Sequence, residues 1–279
     1  MNRLGKLAAL LLAVALPLSA CGAKKAPEGG AAANLEAHFF DAGKADAILL
    51  TTANSAVLID AGEKGFGKTI LSYLEEKGIG RIDCLIVTHF DQDHVGGAAK
   101  VINGIAVGTV LQSNRPKDSE EYEKYVEALD EAGVEPVTVR ETYGFMLDGV
   151  AYSVDPPRQV KYSADSSNNS SLIVSVQNGG NRLLFTGDAQ TERLAEFLDA
   201  GSGTYDVLKV PHHGREEPLT EALLQAVKPS RAVITSSEEE PEDAATLAAL
   251  EKAGVRVYLT REGPVTLRSD GSTLSFSQP

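Results

Sequence analysis

Two histidines and two aspartates lie within six residues of one another in the segment THFDQDHVGG, and both residue types are common metal ligands. The four are His89, Asp91, Asp93 and His94. An extended chain turns alternate residues to one side, and the onset of a helix would bring His94 towards the same point. Imidazole and carboxylate ligands together suit Zn²⁺ or Mn²⁺, and their number suits two ions. The spacing therefore predicts a divalent metal site rather than an acidic turn with two incidental histidines.

Two further segments carry residues of the same types. His212 and His213 stand in LKVPHHG, and Asp188 stands in LLFTGDA. Each follows an apolar stretch with strand character, as THFDQDH does. A histidine pair alone could be a solvated surface turn, and Gly-Asp turns are common, but the carboxyl ends of strands on one edge of a layered fold converge. We therefore expect the three segments to meet, with His38 left outside as an ordinary strand or core histidine.

The apolar pattern predicts the elements that must position these segments. Short strands come first, in a meander over residues 35–59, and a helix at 66–77 precedes the buried strand 83–87 that carries THFDQDH. A hairpin over 171–186 and an alternation of helices and strands complete the chain. The long polar stretch 155–170 is predicted to be a functional or mobile loop. This order indicates two sheets packed face to face with helices outside, in one domain.

The composition limits the possible functions. Of 279 residues, 39 are acidic and 26 basic, which gives a net charge of −13, and 43% are apolar. This length and apolar content are ample for the core of one large domain. An acidic surface repels polyanions unless cations intervene, which argues against a protein that coats DNA. A nucleic-acid or phosphate substrate would have to be held by bound metal or by a few local basic residues.

The N-terminus has the features of an export signal. A positively charged start precedes an apolar run, Leu7 to Leu18, that is far shorter than the ~20 residues needed to span a bilayer. The following LSAC, which ends at Cys21, resembles the bacterial lipobox, in which the cysteine is acylated. A soluble secretory leader and an uncleaved anchor are the alternatives. We predict a lipoprotein signal peptide at 1–20, a flexible tether at 21–34 and a folded domain at 35–279.

The predicted lipid on Cys21 sets the expected location of the protein. It would hold the domain to the membrane outside the cytoplasm, at the bacterial cell surface. Cys84 is the only other cysteine, and we predict that it is a buried small apolar residue, so no intrachain disulfide is expected.

The motifs together resemble those of a known family. THFDQDHVGG, FTGD and VPHHG, in this order and spacing, are similar to the motifs of the metallo-β-lactamase superfamily. They are most similar to those of the hydrolase domain of ComEC-type competence (DNA-uptake) proteins and their free-standing relatives. HFFDAGKADAILL, VLIDAG and NNSSLIVSV resemble further segments of that subgroup. The resemblance covers nearly all of residues 35–279 and implies an α/β fold, the four-layer αββα metallo-β-lactamase sandwich.

The resemblance also implies a ligand set for two divalent metal ions, Zn or Mn. The first ion would bind His89 and Asp91, and Asp188 would bridge both ions. The second ion would bind Asp93, His94 and His213. Two such cations lower the pKa of a bound water towards neutrality, which yields a hydroxide able to attack a phosphorus or carbonyl centre.

Further roles are implied for residues around the metals. Asp60 would support the metal loop by hydrogen bonds, and Asn169 would lie near the first metal. Catalysis is expected to depend on Asp93 and on His212, which would face the substrate as a donor to a phosphate or leaving-group oxygen. Which of the two adjacent histidines is the ligand stays open, with His213 favoured.

One segment departs from the family pattern. Relatives usually carry a last histidine near a proline that completes the first metal site, whereas the corresponding stretch here, ITSSEEEPEDAATL at 234–247, has none. Glu239 or Glu240 could substitute for it, or the stretch could be a solvated acidic loop. The expected consequence is weak or exchangeable occupancy of the first metal position.

These observations predict an extracytoplasmic metal-dependent hydrolase, with a phosphodiesterase or nuclease acting on DNA or another phosphodiester as the leading hypothesis. A phosphodiesterase acting on cell-wall phosphocholine or teichoic acid is the alternative within hydrolases. β-Lactam hydrolysis is less favoured, because that class prefers three histidines at the first metal. A binding or scaffolding lipoprotein with a decayed site is the alternative outside enzymes. The sequence indicates no protein partner.

Overall fold

A computed structural model describes residues 32–164 and 167–279 of the chain. The predicted signal peptide, Cys21 and most of the predicted tether lie outside the described residues, so they stay predictions. Within the described part of the chain, no helix is both long and apolar enough to cross a membrane.

Two sheets form the centre of the described fold. The first has the strand order β15-β14-β1-β2-β3-β4-β5-β6 and the second β13-β12-β11-β10-β9-β8-β7. The strands of the first sheet are β1 (Leu35–Phe39), β2 (Ala47–Thr51), β3 (Ala56–Ala61), β4 (Arg81–Val87), β5 (Ala106–Gln112), β6 (Val137–Thr138), β14 (Val265–Ser269) and β15 (Leu274–Ser277). Those of the second are β7 (Tyr143–Leu147), β8 (Val150–Asp155), β9 (Ile173–Asn178), β10 (Asn181–Phe185), β11 (Val207–Lys209), β12 (Arg231–Ile234) and β13 (Arg256–Leu259).

Alternation along the strands explains how each sheet is buried on both faces. In β10, Leu183 and Phe185 point into the core between the sheets, whereas Leu184 points towards the outer helices. In β2, Ile48 faces that same central core and Leu49 faces the opposite side. Strands buried on both faces must be apolar at nearly every position, which is why these segments read as continuous apolar runs.

Helices cover the outer face of each sheet, which completes the four layers. The first sheet is covered by α1 (Gly67–Glu76), α2 (Gln92–Val95), α3 (Ala98–Ile102) and α4 (Glu120–Ala132). The second is covered by α5 (Thr191–Asp199), α6 (Thr220–Val227) and α7 (Ala244–Lys252). The predicted αββα sandwich is therefore confirmed.

The helix whose onset is predicted near His94 forms as two short helices, α2 and α3. The break falls at Gly96 and Gly97, where the chain passes against β3. A Cβ on Gly97 would lie 2.1 Å from the carbonyl oxygen of Ala61, and the Gly97 N–H donates to Gly62 O at 3.0 Å. Only glycine permits this approach, which presses the histidine segment onto the sheet.

Strand β7 was not predicted from the sequence. It pairs with β8 across a tight turn at Asp148 and Gly149, whose φ angles are 47° and 84°. An Asp-Gly pair between two short apolar runs is a strong hairpin signal, so this strand could have been found.

Candidate metal centre

The three predicted segments meet at one edge of the fold. Strand β4 runs parallel to its neighbours in the first sheet, and β10 to β13 are parallel in the second. Their carboxyl ends therefore carry THFDQDH, Asp188 and the histidine pair to the same place. Ligand atoms of four residues lie within 4.8 Å of one another, in a group that could hold a metal ion: Asp93, His94, Asp188 and His213. We call these four residues the ligand group.

Asp188 lies at the centre of the ligand group. Its Oδ1 is 3.2 Å from His94 Nε2, and its Oδ2 is 3.2 Å from His213 Nε2. The same His213 nitrogen is 3.5 Å from Asp93 Oδ2. One carboxylate thus faces both imidazoles, each through a different oxygen.

Four buried polar atoms at this place have no hydrogen-bond partner within the described residues: Nε2 of His89, His94 and His213, and Oδ1 of Asp188. Leaving a buried polar atom unpaired costs about 1–3 kcal/mol, so four of them together call for a ligand. Two nitrogens and carboxylate oxygens are a donor set suited to Zn²⁺ or Mn²⁺. The residues of this site therefore fit a divalent metal ion.

Hydrogen bonds behind the ligand group hold both imidazole rings in place. His94 Nδ1 is 2.8 Å from Asp60 Oδ2, and Asp60 also accepts bonds from the N–H and the hydroxyl of Thr88, both at 2.7 Å. His213 Nδ1 is 2.9 Å from the carbonyl oxygen of Thr235. In its neutral form each ring therefore carries its proton on Nδ1, which leaves Nε2 free to bind a metal.

The backbone at the histidine pair adopts an uncommon conformation. His212, His213 and Gly214 all have positive φ, at 48°, 52° and 78°. Asp60 has φ 56° as well. Each such non-glycine residue costs about 1–3 kcal/mol and persists only where the surroundings impose it, as functional sites do. The conformation turns the His213 side chain into the ligand group.

His212 lies beside the ligand group, with 19% of its side chain exposed. Its Nε2 is 3.3 Å from Asn168 Nδ2, and its Nδ1 is 3.4 Å from Glu217 Oε1. This placement agrees with the prediction that His213 is the ligand and His212 faces the substrate, although both roles stay predictions.

The residues predicted for the first metal are adjacent but do not join the ligand group. His89 is fully buried, and its ring centroid is 4.1 Å from that of His94. Its Nε2 is 3.9 Å from Asp91 Oδ1. That carboxylate oxygen is also 2.6 Å from Lys117 Nζ and accepts a hydrogen bond from Ser167. The Asp91 oxygen that faces His89 is thus already paired with Lys117 and Ser167.

Three other predicted residues are not members of the ligand group. Asn169 is buried, and its Oδ1 accepts a hydrogen bond at 3.0 Å from the N–H of Arg193, in the first turn of α5. Glu239 and Glu240 are both exposed, and Glu240 lies 3.7 Å from Arg215. The structure therefore provides no replacement for the missing last histidine from these two glutamates.

The carboxylates and imidazoles shift one another's pKa values. Burial opposes protonation of His94, but the carboxylates of Asp188 and Asp60 outweigh it and hold the imidazole pKa well above its ordinary value. Burial alone would raise the pKa of Asp188, yet His213 and His94 hold it well below the usual range. A metal ion and a proton therefore compete for the His94 imidazole.

Two residues at this edge were not predicted as site residues. Lys209 is the last residue of β11 and is fully buried, with Nζ 2.6 Å from Asp46 Oδ2. Asp46 directly precedes β2 and is also buried. A lysine inside the apolar run VLKV was a signal that could have been noticed, because lysine is almost never fully buried unless it is paired.

Comparison with known proteins agrees with the fold. A profile described as the Metallo-beta-lactamase superfamily matches residues 41–236. The chain therefore belongs to the metallo-β-lactamase superfamily, as its motifs predicted.

Among curated proteins, the chain is similar to proteins named for competence and recombination. It is 30% identical over 220 residues to ComE operon protein 3 of Bacillus subtilis, which covers 75% of this chain and 27% of that protein. It is 29% identical over 206 residues to Recombination protein 2 of Haemophilus influenzae, which covers 72% and 24%. Competence protein ComA of Neisseria gonorrhoeae is 30% identical over 216 residues, with 75% and 28% covered. The chain spans about a quarter of the length of these relatives.

Solved structures share the fold at low sequence identity. The metallo-beta-lactamase fold protein YhfI from Bacillus subtilis has a TM-score of 0.56 at 8% identity, with 87% of this chain and 100% of that chain covered. Igni18, a metallo hydrolase from Ignicoccus hospitalis, has a TM-score of 0.52 at 16% identity, with 88% and 99% covered. These likenesses support the fold alone.

Proposed function

We propose that this protein is a metal-dependent phosphodiesterase that acts outside the cytoplasm, with DNA as its leading substrate. One observation carries the metal-dependent part of this proposal. Four buried polar atoms at the carboxyl ends of strands from both sheets have no hydrogen-bond partner within the described residues. Such a site is costly to keep in a protein that binds nothing there.

Some residues of this site would bind the metal, and others would contact the substrate. The ligand group would hold one ion, and His89 and Asp91, with Asp188 between the two positions, would hold a second. A bound ion would supply a Lewis acid for phosphoryl oxygens and lower the pKa of a water towards neutrality. Asp60 and Thr235 keep the imidazoles oriented throughout, because they bond the opposite ring nitrogens.

Cations close to the ligand group support an anionic substrate. Lys44 Nζ is 3.1 Å from Asp93 Oδ2, and Lys117 Nζ is 2.6 Å from Asp91 Oδ1. Both side chains are partly exposed, so both can also contact a bound substrate. These local positive charges answer the objection that a chain of net charge −13 would repel a phosphodiester.

His212 is the group best placed to serve the leaving-group oxygen. It is partly exposed, directly precedes the predicted metal ligand His213 in the chain, and lies between Asn168 and Glu217. An imidazole in this position can donate a hydrogen bond or a proton to the departing oxygen, which is the usual role of histidine in acid catalysis.

The names of the curated relatives support DNA as the substrate class, and the lipobox-like LSAC supports a location outside the cytoplasm. The same LSAC favours a second candidate, a phosphodiester of the cell wall, because an anchored enzyme would work next to that polymer. A scaffold with a decayed site is less favoured, since the four-residue ligand group is assembled.

The test is hydrolysis of bis-p-nitrophenyl phosphate by the purified protein, with and without added Mn²⁺ or Zn²⁺. We expect metal-dependent turnover that Asp188→Ala abolishes and that Glu251→Ala, an exposed carboxylate on α7, leaves unchanged. Comparison of a DNA oligonucleotide with a phosphocholine ester then separates the two substrate classes. Turnover that is absent at every metal supply, or that survives Asp188→Ala, would refute the proposal.

A further inference from the structure

A buried lysine lies directly behind the ligand group. Lys209 Nζ is 2.6 Å from Asp46 Oδ2, 3.1 Å from the carbonyl oxygen of Gly187 and 3.7 Å from Asp188 Oδ1. Neither the lysine nor Asp46 is accessible to solvent. A fully buried ion pair of this kind is rare in proteins, and it is a weak source of stability, so its position calls for another explanation.

Asp46 connects this lysine to two members of the ligand group. The Asp46 N–H donates to the carbonyl oxygen of Asp93 at 3.0 Å, which fixes the backbone at that ligand. Asp46 Oδ1 accepts from the hydroxyl of Thr235 at 2.6 Å, and the Thr235 carbonyl oxygen is 2.9 Å from His213 Nδ1. The orientation of the His213 ring therefore depends on a residue that Asp46 holds.

Asp46 also belongs to a second group that could hold a cation. Ligand atoms of Asp46, Asp60 and His94 lie within 4.8 Å of one another. In this group a cation is already present, because the Lys209 ammonium contacts Asp46 directly. Asp60 is likewise occupied, by Thr88 and His94. One of the three carboxylate and imidazole groups, that of Asp46, is thus already paired with a cation of the protein itself.

We propose that Lys209 and Asp46 are positioning residues, an ion pair that holds Asp93 and His213 for the metal and confines the ion to the ligand group. This inference rests on the proposed metal-dependent function. Neither residue touches the metal or the substrate. Their effect is to keep two ligands in place and to remove Asp46 as a competing ligand.

Three variants test the pair: Lys209→Met, Asp46→Asn, and the double variant. Asp46→Asn leaves the ammonium without its partner, 3.7 Å from Asp188, where it competes with the metal. Lys209→Met frees the Asp46 carboxylate to draw the ion out of the ligand group. Each single variant should bind Zn²⁺ about 10–100-fold more weakly, the usual effect of losing a residue that supports a ligand. The double variant removes both charges and keeps the acceptor for Thr235, so its affinity should return to within about tenfold of wild type.

The measurement is Zn²⁺ affinity by chelator competition, together with the visible spectrum of the Co²⁺-substituted protein. A change in that spectrum reports altered coordination, which a loss of stability alone would not produce. Lys252→Met is the matched control, because Lys252 pairs with Glu221 at 2.9 Å on the exposed face of α6 and α7. It should leave both the affinity and the spectrum unchanged.

The possible results separate this inference from the proposed function. If the wild-type protein binds no metal, the proposed function fails and the inference falls with it. If wild type binds metal and folded single variants bind it equally well with unchanged Co²⁺ spectra, the inference alone is wrong. If the single variants do not fold, the double variant decides. A double variant that folds and binds metal with near-wild-type affinity supports the inference. A double variant that fails to bind metal overturns it.

Discussion

Substitution of Asp60 is a sensitive test of how the metal centre is held in place. Its carboxylate is fully buried and accepts three hydrogen bonds, from the Thr88 N–H, the Thr88 hydroxyl and His94 Nδ1. Asp60→Asn keeps the size and tolerates the positive φ of 56°. However, an amide has only one acceptor oxygen, so at least one of these donors must then face an N–H group.

The magnitude of this effect follows from the contacts that are lost. One or two buried donors left unpaired, at about 1–3 kcal/mol each, predict a loss of roughly 2–4 kcal/mol in the free energy of unfolding. For a domain of this size, that corresponds to a decrease of roughly 5–15 °C in melting temperature. The misaligned His94 should also weaken metal binding about 10–100-fold.

The assay for Asp60→Asn is thermal unfolding with chelator and with Zn²⁺, followed by metal competition at 25 °C. Asp83→Asn is the matched control. Asp83 accepts a backbone hydrogen bond from Ala56 at 2.9 Å, but it lies at the opposite end of β4 from the metal centre. The control should keep its metal affinity. If folded Asp60→Asn binds metal as tightly as the Asp83→Asn control, our account of how His94 is oriented is wrong.

Three further predictions address other parts of the molecule. Gly97→Ala should reduce the free energy of unfolding by about 2 kcal/mol in urea titrations, because its Cβ would lie 2.1 Å from Ala61 O. Burial lowers the pKa of His38 to about 4, so the unfolded chain takes up the proton first as pH falls below 6.5. The contribution of neutral His38 to stability is therefore complete above pH 6.5 and should decline by about 2 kcal/mol by pH 4. Urea titrations at several pH values should show a decline in wild type that is smaller by this amount in His38→Gln. His212→Gln should lower kcat about 100-fold on DNA, and much less on bis-p-nitrophenyl phosphate, whose leaving group needs no proton.

Each of these three predictions can be contradicted by one observation. An unchanged urea midpoint for Gly97→Ala would mean that α3 can move away from β3 at little cost. An equal change in stability between pH 6.5 and 4 for wild type and His38→Gln would show that His38 is not buried in its neutral form. Equal losses on both substrates for His212→Gln would remove His212 from the role of proton donor.

The sequence was sufficient to predict the layers and the meeting of the three ligand segments, because both follow from local pattern. Continuous apolar runs indicate strands buried on both faces, and ligand types directly after such runs indicate the carboxyl edge of a sheet. The Asp148-Gly149 turn and strand β7 were within reach of the same reasoning.

Other features depend on tertiary contacts that no local pattern encodes. The consecutive positive φ angles at His212 and His213 decide which imidazole joins the ligand group, and they are imposed by the surrounding structure. The pairing of Lys209 with Asp46 joins positions 163 residues apart, and the pairing of Lys117 with Asp91 joins two separate loops. Both pairs change the charge at the site. The sequence marks Lys209 as unusual within its apolar run, but it does not reveal the partner of either lysine.

The most direct test of the central claim is the metal content of the purified protein by elemental analysis, alongside Asp188→Ala and His212→Ala. Asp188 lies between the two imidazoles of the ligand group, whereas His212 lies beside it. Our account predicts at least one equivalent of Zn or Mn in the wild-type protein, its loss in Asp188→Ala and its retention in His212→Ala. Absence of metal from the wild-type protein at every supply, or full metal content in Asp188→Ala, would contradict it.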